Sequence, residues 1–272
     1  MAAEVLSTVL KRHQPEFHPV VPFDPTGERL YTLDFTESNT ELSSENIADT
    51  EAFAAYINQV LHRHGARYGI GGYGEHRTLY ARSKHFDQEM APAVGGSPVN
   101  MAGGPVGPTA GLRPASGGAL AAEVVGESEP RRLHLGIDIW GPAGTKVMAP
   151  LDSIVHSFAF NNNDSDYGAT LILSHNLEGV SFHTLYGHLS LNSIKNLYEG
   201  QRIQKGEVVA EFGMRFENGN WPPHLHFQVI EDMEHWKGDY PGVCRYSERE
   251  RWLNNSPDPN LILQLQQAPD ED

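Results

Sequence analysis

The chain has 272 residues, 39% of them hydrophobic, with 27 glycines and 18 prolines, which allows a sizeable core if part of the chain stays loose. Its net charge of −15, from 35 acidic against 20 basic side chains, argues against DNA, RNA, an anionic membrane surface or an anionic wall polymer as partner, because those select clustered Lys and Arg. No apolar run reaches the roughly 18 residues of a membrane span, and the single cysteine, Cys244, excludes an internal disulfide.

The N-terminus carries an early acid, Glu4, and its short apolar stretch is broken by Lys11, Arg12 and His13, so it does not read as a secretory signal. With the lone cysteine, this favours a cytoplasmic protein. Residues 17–23 read as an extended, proline-limited segment, and Asp24-Pro25-Thr26-Gly27 as a turn. Residues 29–35 alternate as a strand. A helix follows, capped by Thr50 or Asp49, with Phe53, Ala54, Ile57, Val60 and Leu61 on one stripe and Gly65 as its stop. His62 and His64 suit its C-terminal end as surface residues. Residues 67–86 read as strand, with Gly71-Gly72 as a bend or bulge.

Residues 88–129 are rich in Gly, Pro, Ala and Ser and lose all hydrophobic periodicity, as a flexible linker or insertion does. They separate an α+β segment, 1–87, from a domain at 130–263; a short tail, 264–272, is expected to fray. From residue 131 the pattern is mostly short alternating strands punctuated by Gly and Asn, with a short helix near Leu191–Tyr198 and another over Glu248–Leu253. The expected fold class is therefore mainly β and antiparallel.

Three separated strands carry histidine or acid among apolar residues. His134-Leu135-Gly136-Ile137-Asp138 places His134 and Asp138 on one side, with only Gly136 between them, where a glycine leaves room for a close approach to the backbone. Tyr186-Gly187-His188-Leu189-Ser190 is the second, with Phe182, Thr184, Tyr186 and His188 on a shared face. The third, His224-Leu225-His226-Phe227-Gln228-Val229, holds two imidazoles about 6–7 Å apart along the strand. A catalytic zinc site needs three protein ligands and one open position. Two imidazoles and one carboxylate would suffice, and two histidines would be left for proton transfer or oxyanion support.

On these motifs, residues 134–230 resemble the lysostaphin/LytM-type zinc endopeptidases, which cut peptide bonds in peptidoglycan. His134 to Asp138 matches the family's His-x-x-x-Asp, Tyr186 to Ser190 its Tyr-x-His-Leu-Ser, and His224 to Phe227 its His-Leu-His-Phe. Gly144 to Pro150 and Gly200 to Glu207 resemble its spacers. The resemblance covers a little over a third of the chain. It implies an antiparallel β domain of barrel-sandwich-like form with a groove, and zinc bound by His134, Asp138 and His226, with His188 and His224 beside the open position as base and oxyanion support in either order. It also implies a peptide or peptidoglycan-derived substrate. The chain departs from secreted members of the family in its N-terminus, so export by another route or a cytoplasmic peptide substrate are the alternatives. A non-hydrolytic binding module on the same scaffold is the rival reading, weakened because every metal ligand is present. In this family an upstream segment can cover the groove, and Asn39 or a nearby acid is the candidate for that intramolecular occlusion here.

Other groups carry structural expectations. His156, His175 and His183 are read as packed or surface residues, and Tyr186 as packing or groove-lining. Asn218 to Trp221, Arg77 and Tyr73 are candidates to reach the groove.

Overall fold

The computed structural model describes residues 2–88 and 129–265. Most of the expected linker and tail therefore lies outside the described residues. The chain opens with helix α1 (Ala2–His13), an element beyond those the sequence pattern predicts. Leu6, Val9 and Leu10, at i, i+3 and i+4, are buried, and Leu6 and Leu10 join the main core. Strand β1 (Leu30–Leu33), the short α2 (Ser44–Ala48) and α3 (Thr50–His64) follow. Asp49 caps α3 by accepting from the Ala52 amide, and Gly65 ends it at φ 60°, a left-handed conformation that glycine adopts without strain.

Only the first part of the expected 67–86 strand forms, as β2 (Tyr68–Gly71). Beyond it Gly74 adopts φ 68°, and the chain coils into 3-10 turns at Thr78–Arg82 and Lys84–Asp87. The coil is fixed by long-range bonds: the Arg77 amide donates to Arg132 and the Thr78 amide to Phe35.

The C-terminal strands are β3 (Leu133–His134), β4 (Ile137–Trp140), β5 (Lys146–Met148), β6 (Ser153–Asn161), β7 (Gly168–Leu177), β8 (Val180–Leu189), β9 (Arg202–Ile203), β10 (Val208–Glu211), β11 (His224–Ile230) and β12 (Val243–Cys244). Eight strands form one sheet in the order β1-β2-β4-β11-β8-β7-β6-β9, antiparallel except for the parallel pair β1–β2. Pairs β10–β5 and β12–β3 flank it. The mainly β architecture is as expected, and the sheet stays open instead of closing into a barrel.

The upstream segment does not stand apart from this sheet. β2 pairs with β4 through Gly69–Trp140, Ile70–Ile139 and Gly71–Asp138. On one side of the sheet, Leu225, Phe227 and Val229 pack with Leu171, Tyr186 and the α1 leucines. Elsewhere Phe53, Ile57, Val60 and Leu61 of α3 pack with Phe35, Trp140 and Trp221. All seven residues of β11 are buried. Among the described residues no helix is long and apolar enough to cross a membrane.

Candidate metal centre and its cavity

Cross-strand register builds the centre. His226 on β11 lies directly opposite Asp138 on β4, and His224 opposite Trp140. His134 joins them from the end of β3. His134 Nε2, His226 Nδ1 and Asp138 Oδ1 converge: His134 to His226 is 3.0 Å, His226 to Asp138 3.1 Å and His134 to Asp138 3.3 Å. All three residues are buried, and among the described residues they form the one metal-competent set of this kind.

The hydrogen bonds around these residues assign the ring protons. His134 Nδ1–H donates to the Gly72 carbonyl at 2.8 Å, which leaves Nε2 as a lone pair. The Gln228 amide nitrogen donates to Pro241 O and Ser256 Oγ, so its oxygen accepts from His226 Nε2–H at 3.0 Å and leaves His226 Nδ1 as a lone pair. Two imidazole lone pairs and a carboxylate oxygen then face one another with no proton between them, an arrangement that a cation stabilises. Zinc bonds of about 2.0–2.2 Å in tetrahedral geometry imply ligand–ligand separations of roughly 3.3 Å, so the donor set fits. Gly136 serves this packing. A Cβ there would lie 2.5 Å from His226 Cε1 and 2.8 Å from the Phe227 carbonyl. The close approach expected at this glycine is that of the His226 ring.

The electrostatics suit a cationic centre. Burial opposes ionisation of Asp138, but the Arg77 guanidinium donating to its Oδ2 holds the carboxyl well below the usual range. Burial, and then the Arg77 charge, push His134 down to about 4, so it is a neutral ligand at neutral pH.

His188 and His224 stand next to the three ligands. Their ring centroids are 4.1 Å apart, and His188 lies 6.4 Å from His226. His188 Nδ1–H donates to Asn218 O and His224 Nδ1–H to Pro222 O, both at 2.8 Å, so Nε2 is the free nitrogen of each ring. Burial pushes His224 down to about 4, and burial together with His224 holds His188 well below its ordinary value. His224 is stacked on Trp140 at 3.8 Å and 10°.

His188 does not share a face with Tyr186 as strand alternation suggested. The β7–β8 register slips between Ala169 and Leu171, and His188 sits at φ 62°. This bulge turns His188 toward the cavity and leaves Tyr186 in the core against Phe227.

A cavity of about 490 Å³ opens over Asp138, His188, His224 and His226, walled by Tyr80, Phe86, Arg131, Tyr167, Trp221 and Tyr240. Acids line it too, among them Asp239, which burial and then Asp166 push up to about 6. Of the other groups the sequence singled out, Arg77 reaches the cavity and Tyr73 does not, its hydroxyl donating instead to Ser256 O. Trp221 lines the cavity, while Asn218 braces it by holding His188 and the Trp221 backbone. Asn39 is elsewhere: its amide donates to Asp34 O and to the Tyr56 hydroxyl. His156, His175 and His183 pack against one another or against Phe182 and Thr184, away from the cavity lining. Gln228 and Tyr167, outside the residues the motifs single out, both contact His226. Gln228 shares the His224/His226 face by simple alternation, so its place was legible. Tyr167, whose hydroxyl lies 3.4 Å from His226 Nε2, follows an Asn/Asp-rich turn and gave no periodic signal.

Residues 132–237 match the model of Peptidase family M23. Among curated proteins, the chain is 34% identical over 97 residues to an uncharacterized metalloprotease of Haemophilus influenzae, covering 36% of this chain and 18% of that protein. It is 36% identical over 98 residues to the DD-carboxypeptidase/endopeptidase Mpg of Neisseria meningitidis serogroup B, covering 36% and 20%. The chain thus spans about a fifth of the length of the curated relatives it matches. Among solved structures, a zinc-containing peptidase from Vibrio cholerae is 29% identical at a TM-score of 0.29, over 36% of this chain and 27% of that one. The catalytic domain of lysostaphin from Staphylococcus simulans is 22% identical at a TM-score of 0.32, over 44% and 80%. The resemblance read from the motifs holds: the stretch similar to Peptidase family M23, a family of zinc metallopeptidases, contains His134, Asp138 and His226.

Proposed function

We propose that the chain is a zinc-dependent endopeptidase that hydrolyses peptide bonds in peptidoglycan cross-links or stem peptides. One observation carries this reading. A three-ligand set with a fixed lone-pair geometry shares its cavity with two further buried imidazoles, whose Nε2 atoms are free. A metal-storage or purely structural site has no use for that second pair. The peptidoglycan assignment is supported by the carboxypeptidase/endopeptidase relatives.

His134, Asp138 and His226 would hold the ion. Zinc supplies a Lewis acid that activates a water molecule for attack and polarises the scissile carbonyl. His188 and His224 handle the proton. Each is neutral, with Nδ1–H committed to a main-chain carbonyl, so each offers an Nε2 lone pair to the attacking water. The ring that takes the proton becomes an imidazolium, with an N–H that can support the oxyanion and then protonate the leaving amine. Trp140, stacked on His224, keeps that ring from rotating. Tyr80, Phe86 and Trp221 limit water around the reacting bond.

The test is incubation of the zinc-loaded full chain with cross-linked muropeptides, pentaglycine and a broad peptide library. Chelator-sensitive cleavage with new amino termini is the expected result. A fully metallated protein that leaves all three substrates intact would remove the peptidase reading.

A further inference from the structure

The residues between β2 and the Thr78–Arg82 turn lie outside the region matched to the family, yet they touch two of the three candidate ligands. Arg77 is 1% exposed and makes bonds in four directions. Its Nη1 donates to Asp138 Oδ2 and, at 3.2 Å, to the Tyr80 hydroxyl. Its Nε donates to Glu75 Oε2 at 2.7 Å, and its Nη2 to the Gly72 carbonyl at 3.1 Å. That same carbonyl accepts the His134 Nδ1–H bond. The backbone locks the group in place: the Gly74 amide donates to His134 O, and the His134 amide to Glu75 O.

From this we infer that Arg77 is a positioning residue of the metal centre, acting through Asp138. It is the charged element of a clamp, Gly72 to Arg77, that the upstream segment closes on the ligands. The reasoning is electrostatic and geometric. Asp138 is a buried carboxylate whose Oδ1 must face His134 and His226. A guanidinium on Oδ2 fixes the carboxylate plane and leaves Oδ1 as the coordinating atom. It also balances one of two nearby carboxylates, Asp138 and Glu75, so the centre does not gather uncompensated negative charge in the protein interior. A lysine would supply the charge but not the fork that reaches Asp138, Glu75 and Gly72 together.

The inference rests on the zinc reading of His134, Asp138 and His226, and one experiment separates the two. The metal-free full chain and its Arg77→Met and Arg77→Lys variants are titrated with zinc against a chromophoric chelator. They are titrated in parallel with cobalt, whose ligand-field absorption reports coordination geometry. Thermal unfolding of each metal-free protein is recorded alongside. Loss of an outer-shell partner of this kind weakens metal binding by about 10–100-fold. Arg77→Met is expected in that range with an altered cobalt spectrum, and Arg77→Lys between it and the parent. A merely structural arginine would lower both melting temperatures and leave the zinc affinity and cobalt spectrum of the folded protein unchanged; that result overturns the inference. If Arg77→Met does not fold, Arg77→Gln, which keeps an N–H donor toward Asp138 without the charge, is read against the same criterion. A parent chain that takes up no zinc overturns the zinc reading, and this inference with it.

Discussion

His188 and His224 lie with ring centroids 4.1 Å apart at an interplanar angle of 30°, each tied through Nδ1 to a main-chain carbonyl. Neither is among the three ligand residues, and both line the same cavity as Asp138 and His226. Metal retention and turnover should therefore separate in their variants. His188→Ala is expected to keep full zinc content and lose roughly 10²–10⁴ in rate, the span of one general acid–base group. His226→Ala is expected to lose the metal itself. Metal analysis paired with a cleavage assay reads both, and unchanged turnover in His188→Ala would remove that residue from the mechanism.

Gly136 should be intolerant of even one methyl group. An added Cβ would lie 2.5 Å from the His226 ring and 2.8 Å from a main-chain oxygen that cannot swing away. Gly136→Ala is expected to cost about 1–3 kcal/mol as overpacking and to weaken zinc binding as His226 is displaced. Chemical denaturation with a chelator competition checks both effects. Normal affinity in a stable variant would show that the strands can part at no cost.

Trp140 carries load on both sides, packing against Phe35 and Phe53 in one direction and stacking on His224 in the other. Trp140→Ala should lose about 3–5 kcal/mol, the usual range for emptying a buried indole site. Trp140→Phe should keep most of the stability yet reduce activity, because the smaller ring supports His224 less. Melting temperature and rate together test the two roles.

The metal-free protein should lose stability in mild acid. His175 is buried, with Nε2 bonded to Thr184 Oγ1, and burial pushes it down to about 4 from 6.5. Between those values the unfolded chain binds a proton that the folded chain does not. Stability therefore rises with pH across the window and falls as pH drops from 6.5 toward 4. The slope approaches 1.4 kcal/mol per pH unit for each such group, by the energy equivalent of one pKa unit. His183, also pushed down to about 4 by burial and then by His156, adds in the same direction. His175→Gln should flatten the dependence of melting temperature on pH between 4.5 and 6.5. An unchanged slope would mean that His175 does not titrate on unfolding.

The sequence disclosed the site better than its surroundings. His134, Asp138, His188, His224 and His226 gather around one place, and each sits on a strand, where two-residue alternation is a strong signal. His188 converges for a different reason than alternation predicts, through a bulge at a positive-φ residue that no periodic pattern encodes. Arg77 was barely visible. It lies in an irregular turn and meets Asp138 only after 61 residues of chain have come back on themselves. Strand β2 was hard to place for a similar reason. Tyr-Gly-Ile-Gly carries few strand formers, and it is held by pairing with β1 and β4 more than by its own propensity.

The pairing of β2 with β4 bears on how this protein can be dissected. The boundary drawn by family similarity, at residue 132, runs straight through a hydrogen-bonded ladder. A fragment begun there would strip β4 of its neighbour and bare Trp140, turning an interior strand into a raw margin that invites other chains to dock along it. Such a truncation would be expected to aggregate or dimerise through β4. The smallest autonomous folding unit is therefore expected to include β1 and β2, which end at Leu33 and Gly71, well upstream of residue 132 where the likeness to peptidases begins.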